Sequence, residues 1–511
     1  MISHADLIER ACRRHGDRVA VRCGGTELRY GELRRRALGL AAGLARRGVD
    51  SGSRVVLFLR NSCEYVVADL ALLALGAVKV PLNEHLTAAE VARVLDHCRA
   101  EVLLVHASLA TVATEALAAC GSPPQVIAVD DRGSRPSAWE ELGAVAAEPE
   151  IELRDVDDEA PALLLYTGGT TGASKGVLHA RAALGWNLLT HVIAGEIRPG
   201  ERMLLSTPLP HSAGFHLQAG LVQGATVTLM PRFDAESVLE TVARERIGWT
   251  FLVPTMLRRL LDVPSLGTAD ASSLRTVVYG AAPIGGDLLR RALDRFGPIF
   301  LQLYGQVECP NYITTLAKED HLRPELQASC GQPVVSVDLR VVSEDGTPVP
   351  AGEVGEIVAR SPYTLREYFD APELTAAACR GGWLHTGDLG YQTETGHVFL
   401  VDRAKDLIIT GGLNVYSAEV EGVLQQHPAV LAAAVIGIPH ADWGEAVHAV
   451  VVARGDVGVD EILAFCRVRL SPFKVPKGVT FAQEMPLTAY GKIDKKRLRS
   501  PYWEGEARAI H

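Results

Sequence analysis

The feature that most constrains the fold is a regular alternation of helical and strand patterns over most of the chain. Residues 31–48 carry apolar side chains at helical spacing and end at a glycine. A short β-rich run follows at 53–61, and strand, glycine turn and helix patterns recur in that order at 274–297. This alternation predicts an α/β fold in which helices cover largely parallel sheets, with ligands bound where loops leave the carboxyl ends of strands. The loops of interest follow Tyr166, Tyr279 and Tyr304.

The pattern changes near residue 400. Residues 396–424 predict two strands joined by a charged turn, then a loop and a helix. Residues 431–455 predict two strands around a polar loop, and a helix follows at 459–470. Because these elements are enough for a self-contained α+β unit, we predict two domains. The large N-terminal domain of layered α/β subdomains spans 1–401, and the small C-terminal domain spans 402–511.

Composition excludes several classes of protein. The net charge of −10 over 511 residues argues against a broad nucleic-acid surface. The most apolar stretch, 65–82, is interrupted by Asp69 and Lys79, so it predicts a buried helix and a strand and no membrane span. Nine scattered cysteines with no C-x-x-C pair indicate a reducing compartment and no structural zinc site. We therefore expect a cytoplasmic protein.

The stretch LLLYTGGTTGASKGVLHA, residues 163–180, places glycines, hydroxyl side chains and one lysine directly after a strand. Glycines let backbone N–H groups approach an anion, and Thr and Ser hydroxyls add directional donors. Lys175 adds a positive charge. The string is not a Walker A loop, because Ser174 stands where that motif has glycine. It predicts a phosphate-binding loop, with a flexible polar loop as the alternative.

The segment YTGGTTGASKGV closely resembles the phosphate loop of the adenylate-forming superfamily, which includes acyl-CoA synthetases, nonribosomal adenylation domains and luciferases. Further segments resemble the motifs of that family in the same order: YGAAP (279–283), YGQVE (304–308), GGWLHTGDLGY (381–391), DRAKDLIITGGLNVYSAEVE (402–421) and PLTAYGKIDKKRLR (486–499). The resemblance spans nearly the whole chain and is closest to free-standing acyl-CoA or aryl-CoA ligases. It implies that a carboxylate attacks the α-phosphate of ATP, pyrophosphate leaves, and a thiol then displaces AMP.

The resemblance also assigns nucleotide-binding residues. The phosphates would contact Thr167, Gly168, Gly169, Thr170, Thr171, Gly172 and Lys175. Glu308 and Thr170 would hold Mg²⁺, which offsets phosphate charge. The adenine would lie among Gly280, Ala281, Ala282, Tyr304 and Gly305. Asp388 would accept hydrogen bonds from the ribose hydroxyls, and Arg403 would help to fix the same sugar.

The catalytic residues implied by the resemblance are Lys492, Glu308 and His211. Lys492, within the string GKID, would bridge the substrate carboxylate and the α-phosphate. Asp402 would be the hinge about which a mobile small domain alternates between adenylation and thiol transfer; a static salt-bridge partner is the alternative.

His211 would gate the acyl pocket, with a hydrogen-bonded core histidine as the alternative. Other candidate pocket residues are Phe215, Met256, Tyr279 and the stretch Cys309–Tyr312. Val307 departs from the family pattern, which usually has Thr there, and so puts the usual phosphate contact in doubt.

CoA is the expected acceptor. Trp443 could stack on its adenine, and Lys474 and Lys477 could meet its phosphates. The predicted function is adenylation of a small or medium-sized carboxylic acid, aromatic acids included, followed by transfer to CoA. The alternatives are loading of a separate carrier protein, adenylation of nitrite to diazotise an aryl amine, and a non-catalytic nucleotide-binding module.

Overall fold

A computed structural model gives the fold. It describes residues 3–129, 140–146, 151–166, 175–403, 406–440, 442–488 and 492–503. The helices in these ranges are α1 His4–Arg14, α2 Tyr30–Arg46, α3 Cys63–Leu75, α4 Ala88–His97, α5 Ala110–Ala119, α6 Leu142–Val145, α7 Arg181–Ala194, α8 Gly214–Val222, α9 Ala235–Glu245, α10 Pro254–Asp262, α11 Gly286–Phe296, α12 Pro372–Ala378, α13 Ser417–Leu424, α14 Val459–Arg467 and α15 Lys495–Trp503.

The strands in the same ranges are β1 Val19–Cys23, β2 Thr26–Arg29, β3 Arg54–Phe58, β4 Val78–Pro81, β5 Val102–His106, β6 Gln125–Val129, β7 Glu140–Glu141, β8 Pro161–Tyr166, β9 Gly176–Ala180, β10 Arg202–Leu205, β11 Thr226–Leu229, β12 Trp249–Leu252, β13 Thr276–Tyr279, β14 Phe300–Gln306, β15 Cys309–Leu316, β16 Gln332–Pro333, β17 Asp338–Val342, β18 Gly355–Arg360, β19 Glu367–Tyr368, β20 Cys379–Arg380, β21 Trp383–Gln392, β22 Val398–Arg403, β23 Ile408–Thr410, β24 Leu413–Val415, β25 Val430–His440, β26 Gly444–Ala453 and β27 Gly478–Phe481.

The chain divides into two compact units, the first of which comprises 1–167, 175–338 and 360–384. One sheet of this unit has the strand order β16-β15-β14-β13-β12-β10-β11-β1-β2, and another has the order β19-β9-β8-β4-β3-β5-β6-β7. Their inner strands pair in parallel, whereas β14–β15 and β8–β9 are antiparallel hairpins. The predicted α/β architecture is confirmed. The strand β14 runs two residues past Tyr304, so its loop begins later than predicted.

Apolar packing of helices on the sheet builds the core of this unit. The buried side chains of Leu239 on α9, Leu257 on α10 and Leu289 on α11 join Val277 of β13 in one cluster. Trp249 on β12 is fully buried, and its Nε1–H donates to the carbonyl of Gly195 at 2.7 Å. This packing holds the carboxyl ends of β13 and β14 side by side, where the candidate site residues follow.

The second unit comprises 168–174, 339–359 and 385–511. It contains the pairs β17–β18, β18–β21 and β21–β22, and a separate sheet ordered β24-β23-β26-β25 with β27 beside β26. Buried side chains of Val420 on α13 and Ile462 on α14 pack on that second sheet. The predicted α+β character is confirmed, and the boundary at 402 stays a prediction.

One prediction in this unit was wrong. The loop expected after the second strand of 396–424 contains a further strand, β24, and β22 and β23 belong to different sheets. Gly411 and Gly412 both have positive φ, at 57° and 78°, so they form a two-residue turn that pairs Thr410 with Leu413. Such turns match the twist of a hairpin.

Among the described residues, no helix combines the length and the apolar character needed to cross a membrane.

Candidate active site

The candidate phosphate loop is framed by an antiparallel hairpin. Tyr166 at the end of β8 pairs with Gly176 at the start of β9. The predicted phosphate ligands Thr167, Gly168, Gly169, Thr170, Thr171 and Gly172 lie outside the described residues. Lys175 is described, and its Nζ lies 5.3 Å from the centroid of the Tyr368 ring.

Glu308 lies in the tight turn between β14 and β15, where Gln306 pairs with Cys309. Its Oε1 accepts a hydrogen bond of 2.7 Å from the Tyr368 hydroxyl. Burial raises the pKa of Tyr368, as does the Glu308 charge, so this hydroxyl stays protonated and donates. Tyr368 on β19 therefore contacts both the predicted phosphate-binding lysine and the predicted metal ligand. The sequence analysis missed Tyr368, because no motif marks it and it lies 60 residues from Glu308.

The predicted adenine segment follows β13. A Cβ on Gly280 would lie 2.6 Å from the Leu303 carbonyl oxygen, so the approach of β14 requires glycine there. Ala281 has φ of +66°, a conformation that non-glycine residues rarely adopt. Because strain of this kind clusters at functional sites, it supports a binding role for the exposed residues Ala281 and Ala282.

Tyr304 and Gly305 lie on the neighbouring strand, β14, where Tyr304 is buried. A Cβ on Gly305 would lie 2.6 Å from the carbonyl carbon and oxygen of Asn311. The close approach of β15 thus explains this glycine. The pairing of β13 with β14 places both predicted adenine segments at one sheet edge.

The contacts of Val307 account for the apolar side chain at a position where the family usually has Thr. Its side chain packs on an apolar cluster that includes Leu163, Leu165 and Leu184. Its carbonyl accepts a hydrogen bond of 2.9 Å from Nε2 of His179, which is fully buried. An apolar side chain therefore suits this position without a phosphate contact.

His211 interrupts a helical turn before α8 with φ −116° and ψ −148°. Its Nε2 accepts a hydrogen bond of 2.9 Å from the Asn83 amide. Asn311 has φ of +66° and supports the same turn by donating to the Ser212 carbonyl at 3.2 Å and to His191 Nε2 at 2.8 Å. His211 and Phe215 line one cleft.

The remaining candidate pocket residues make internal contacts. Met256 packs in the core around α10, and Tyr279 hydrogen-bonds His321 at 3.0 Å. Tyr312 is buried against the ring of His191, with centroids 4.8 Å apart. Burial lowers the pKa of His191 to about 4, so this histidine is neutral at neutral pH.

The predicted ribose residues meet in the second unit. Asp388 on β21 pairs with Arg403 on β22 in the strand register, and Arg403 Nε lies 3.0 Å from Asp388 Oδ1. Asp388 is 4% exposed. Gly387 has φ of 68°, and its N–H donates to Glu356 at 3.0 Å, which sets the turn that presents Asp388. The two residues assigned to one sugar therefore form one charged pair.

Asp402 belongs to a partly buried charged cluster. Its carboxylate accepts hydrogen bonds from the N–H groups of Ser417 and Ala418 at the start of α13. Lys495 Nζ contacts Ser417 Oγ and Glu421 Oε1, both at 2.7 Å. Burial raises the pKa of Asp402 and of Glu421, and the Lys495 charge opposes both shifts. Lys495 thus pairs with the partly buried carboxylate of Glu421, and its charge also stabilises the Asp402 carboxylate, a role that the motif alone did not indicate.

We expect Lys495→Met to destabilise the second unit by about 3 kcal/mol at pH 7, since it leaves buried charges without a partner. The pKa values of Asp402 and Glu421 are higher in the folded protein than in the unfolded chain. Ionisation of these two groups therefore lowers the free energy of unfolding as the pH rises. The loss of stability in the Lys495→Met variant should therefore become smaller as the pH falls and the two carboxylates become protonated. Urea denaturation at pH 7 and pH 5.5 measures this, with the exposed Lys496→Met as the matched control. Equal stability of the two variants at pH 7 would contradict the assignment.

The predicted CoA-binding residues form a partly exposed surface. Trp443 is 40% exposed and stacks on His440 with ring centroids 4.1 Å apart. Lys477 Nζ lies 5.5 Å from the Trp443 ring. Lys474 instead contacts both carboxylate oxygens of Glu419 at 2.7 Å, so it reaches a phosphate only by leaving that ion pair.

Lys492 is exposed, and its backbone forms a hairpin-like pair with Thr488 through bonds of 2.7 and 3.3 Å. Leu487 and Ile493 form a bridge beside this pair. The predicted catalytic lysine is therefore exposed and lies just before α15.

Known protein families match most of the chain. The AMP-binding enzyme family matches residues 8–369, and its C-terminal domain matches residues 419–492. A feruloyl-CoA synthase of Amycolatopsis sp is 39% identical over 94% of this chain and 95% of its own. The medium/long-chain-fatty-acid–CoA ligase FadD8 of Mycobacterium tuberculosis is 36% identical over 99% of this chain and 91% of its own.

A solved structure shows the same architecture. The amide bond synthetase McbA from Marinactinospora thermotolerans superposes with a TM-score of 0.88 at 34% identity, covering 98% of this chain and 100% of its own. Motif order, family match and fold agree over nearly the whole length. The chain belongs to the AMP-binding enzyme family.

Proposed function

We propose that this protein is an ATP-dependent, AMP-forming acid–CoA ligase for a small or medium-sized carboxylic acid, aromatic acids included. The observation that carries the proposal is the position of Tyr368 between Lys175 and Glu308. This arrangement brings a cation and a carboxylate to one tyrosine, and binding of a nucleoside triphosphate with its metal ion requires both kinds of group. The names of the relatives, a feruloyl-CoA synthase and a fatty-acid–CoA ligase, support CoA as the acceptor.

Magnesium fits the donors present. In the part of the chain that the structure describes, no three His, Cys, Asp or Glu side chains converge on one point. Glu308 would supply one carboxylate, and the Thr170 hydroxyl is a further donor expected from the motif. Mg²⁺ is usually held by one or two carboxylates together with substrate phosphates. The ion would offset phosphate charge when bound.

In the proposed reaction, residues of the chain hold the substrate carboxylate and ATP so that the carboxylate can attack the α-phosphate. Lys175 binds the β- and γ-phosphates, and Tyr368 orients the Glu308 carboxylate. Asp388 and Arg403 hold the ribose. Lys492 neutralises the charge that develops between the substrate carboxylate and the α-phosphate, and so acts mainly in the transition state.

The proposal is tested by measuring ATP-dependent pyrophosphate release with aliphatic acids, aryl acids and nitrite, each with and without CoA. Mass spectrometry of the products identifies the acceptor. We expect release with a carboxylic acid and formation of its CoA thioester. Release with nitrite alone, or an adenylate that passes only to an amine or a carrier protein, would overturn the choice of substrate or acceptor.

We expect Trp443→Ala to raise the KM for CoA and to leave pyrophosphate release unchanged. Stacking of a base on an aromatic side chain contributes about 1–3 kcal/mol, which corresponds to an increase of about 5- to 150-fold in KM. Steady-state kinetics with varied CoA measure it. Trp186→Ala is the matched control, since Trp186 is 45% exposed on α7 and has no assigned role. An unchanged KM would remove Trp443 from the CoA site.

A further inference from the structure

A second cleft, which we call the arginine cleft, opens on the first unit of the fold. Its volume is about 700 Å³, within the range of sites that bind small molecules. The charged residues of its wall are five arginines and two acids: Arg18, Arg22, Arg29, Arg202, Arg244, Asp17 and Glu245. The wall is therefore positively charged, although the whole chain has a net charge of −10. None of these residues has a role in the reaction proposed above.

The arginine cleft lies at the end of its sheet opposite to the candidate adenine segments. Val19, Arg202 and Thr226 in its wall are the first residues of β1, β10 and β11, so the cleft lies at the amino ends of these parallel strands. The predicted adenine segments lie at the carboxyl ends of β13 and β14, which run parallel to β10 through β12. A ligand in the arginine cleft would therefore not occupy the nucleotide site.

Two of the five arginines are balanced by carboxylates. Arg22 Nε lies 2.6 Å from Glu27 Oε1, and Arg244 Nη2 lies 3.0 Å from Glu245 Oε1. Burial of Glu245 opposes its ionisation, but hydrogen bonds from Thr228 and Arg244 and the charge of Arg22 hold the pKa of Glu245 below its usual value. Glu245 is therefore ionised at neutral pH, and these ion pairs hold Arg22 and Arg244 in place.

The other three arginines have no carboxylate within ion-pair distance among the described residues. Arg202 Nη1 donates to the main-chain carbonyl of Glu245 at 3.0 Å, and Arg29 donates to the main-chain carbonyl of Asp17. The guanidinium of Arg18 forms no hydrogen bond with any described residue. All three side chains are exposed. Three positive charges thus face the cleft, with the Asp17 carboxylate as the nearby acid that remains.

The neighbouring His15 experiences this positive potential. A Cβ on Gly224, a residue of the cleft wall, would lie 2.6 Å from His15 Nε2, so the ring packs directly behind the wall. Burial lowers the pKa of His15, and the charges of Arg18 and Arg14 lower it further. An anion bound to Arg18 would weaken that effect, so the pKa of His15 would rise.

The chemistry of the wall selects phosphate groups. A guanidinium fork binds two oxygens of one phosphate at once, and several separate guanidinium groups favour a ligand with several phosphates. Of the described residues that line the cleft, only Val19 and Pro199 have apolar side chains, and none is aromatic. The wall therefore offers no surface on which a nucleotide base could stack. It also lacks the large exposed apolar side chains that insertion into a membrane would use.

We propose that the arginine cleft binds a soluble oligophosphate, an anion of two or more linked phosphate groups without an aromatic or acyl part. Arg18, Arg29 and Arg202 supply the unbalanced charge, and Arg22 and Arg244 complete the wall. This site goes beyond the proposed ligase function and does not depend on it.

Isothermal titration calorimetry with tripolyphosphate and orthophosphate tests the proposal at low ionic strength, because salt screens exposed charges. We expect tripolyphosphate to bind at least about tenfold more tightly, since its further phosphates meet further guanidinium groups. The double variant Arg18→Gln/Arg202→Gln should weaken its binding at least about tenfold. The control Arg93→Gln/Arg258→Gln removes the same charge at exposed arginines elsewhere and should keep the wild-type affinity. Equal affinities of these two variants would overturn the proposal.

A second comparison separates the arginine cleft from the predicted phosphate loop. Lys175→Met removes a predicted phosphate ligand of the reaction site, so this variant should still bind tripolyphosphate in the arginine cleft. Binding that is lost in Lys175→Met and kept in Arg18→Gln/Arg202→Gln would place the anion at the reaction site and overturn the proposal. Pyrophosphate release without added anion should be the same in Arg18→Gln/Arg202→Gln as in the wild type.

His15 gives a local measurement of binding. Tripolyphosphate should raise the pH midpoint of the His15 Cε1–H resonance in NMR spectra, and the resonance is assigned by its loss in His15→Gln. The Arg18→Gln/Arg202→Gln variant should show no such response, and an unchanged midpoint in the wild type would overturn the proposal.

Vesicles of phosphatidylglycerol and phosphatidylcholine distinguish a soluble anion from a lipid headgroup. We expect no sedimentation of the protein with these vesicles beyond that seen with phosphatidylcholine alone. Sedimentation that depends on Arg18 and Arg202, without binding of tripolyphosphate, would show a headgroup site and overturn the proposal.

Discussion

Lys492→Ala should lower the rate of ATP-dependent pyrophosphate release by about a thousandfold. A cation about 4 Å from a developing charge contributes roughly 4 kcal/mol in a partly shielded site, and that free energy corresponds to about a factor of a thousand in rate. The lysine is exposed and its backbone N–H donates to Thr488, so replacing the side chain should not disturb the fold. Pyrophosphate exchange with ATP measures the effect.

The same variant should still transfer an acyl group from a supplied acyl-adenylate to CoA, because Lys492 acts only in the first half-reaction. Lys496→Ala is the matched control, since that exposed lysine lies four positions further along. A Lys492→Ala enzyme that releases pyrophosphate within threefold of the wild-type rate would refute the catalytic assignment.

Glu308→Gln should lower pyrophosphate release by about 10²–10³-fold, since loss of a metal ligand removes several kcal/mol of charge stabilisation. The amide is isosteric with the carboxylate and can still accept from Tyr368, so the change isolates the charge. The concentration of Mg²⁺ that gives half-maximal activity should rise at the same time. Titration with Mg²⁺ at fixed ATP measures both effects.

The Tyr368→Phe variant tests how much the orientation of the Glu308 carboxylate contributes to activity when its charge is kept. It removes the 2.7 Å hydrogen bond to Glu308 and retains the carboxylate. A hydrogen bond to a charged group contributes about 1.5–3 kcal/mol, so we expect a loss of at least about tenfold in rate.

For the Glu308→Gln variant, an unchanged dependence of activity on the Mg²⁺ concentration would show that Glu308 does not hold the metal.

Much of the fold could be predicted from the sequence, because local patterns encode it. The helical spacing in 31–48 and the run 53–61 correspond to α2 and β3, and 431–455 corresponds to β25 and β26. Strand order and pairing partners were not predictable, since β10 lies between β11 and β12 and β4 pairs with the distant β8. The turn at Gly411 was misinterpreted as a loop, because three-residue strands on either side of two glycines leave little periodic signal.

The order of motifs in the sequence was enough to identify the family and to name Lys175, Glu308, Asp388 and Lys492 as candidates. Such motifs are short and contiguous, so their residue types alone carry the signal. Asp388 and Arg403 form a cross-strand ion pair, and their binding to ribose stays a prediction. The roles of these residues in catalysis remain predictions.

Only the tertiary structure shows that Tyr368 contacts Glu308, 60 residues away in the sequence. It also shows that Gln218 contacts Asp69 and His4, which are 149 and 214 residues away. No local pattern marks Tyr368, Asp69, Gln218 or His4, because each is an ordinary member of a helix or strand until folding brings its partner to it. The sequence by itself determined the family and its reaction chemistry, which reside in contiguous motifs. The tertiary structure decided which distant side chains meet, since hydrogen-bond satisfaction depends on contacts between distant segments.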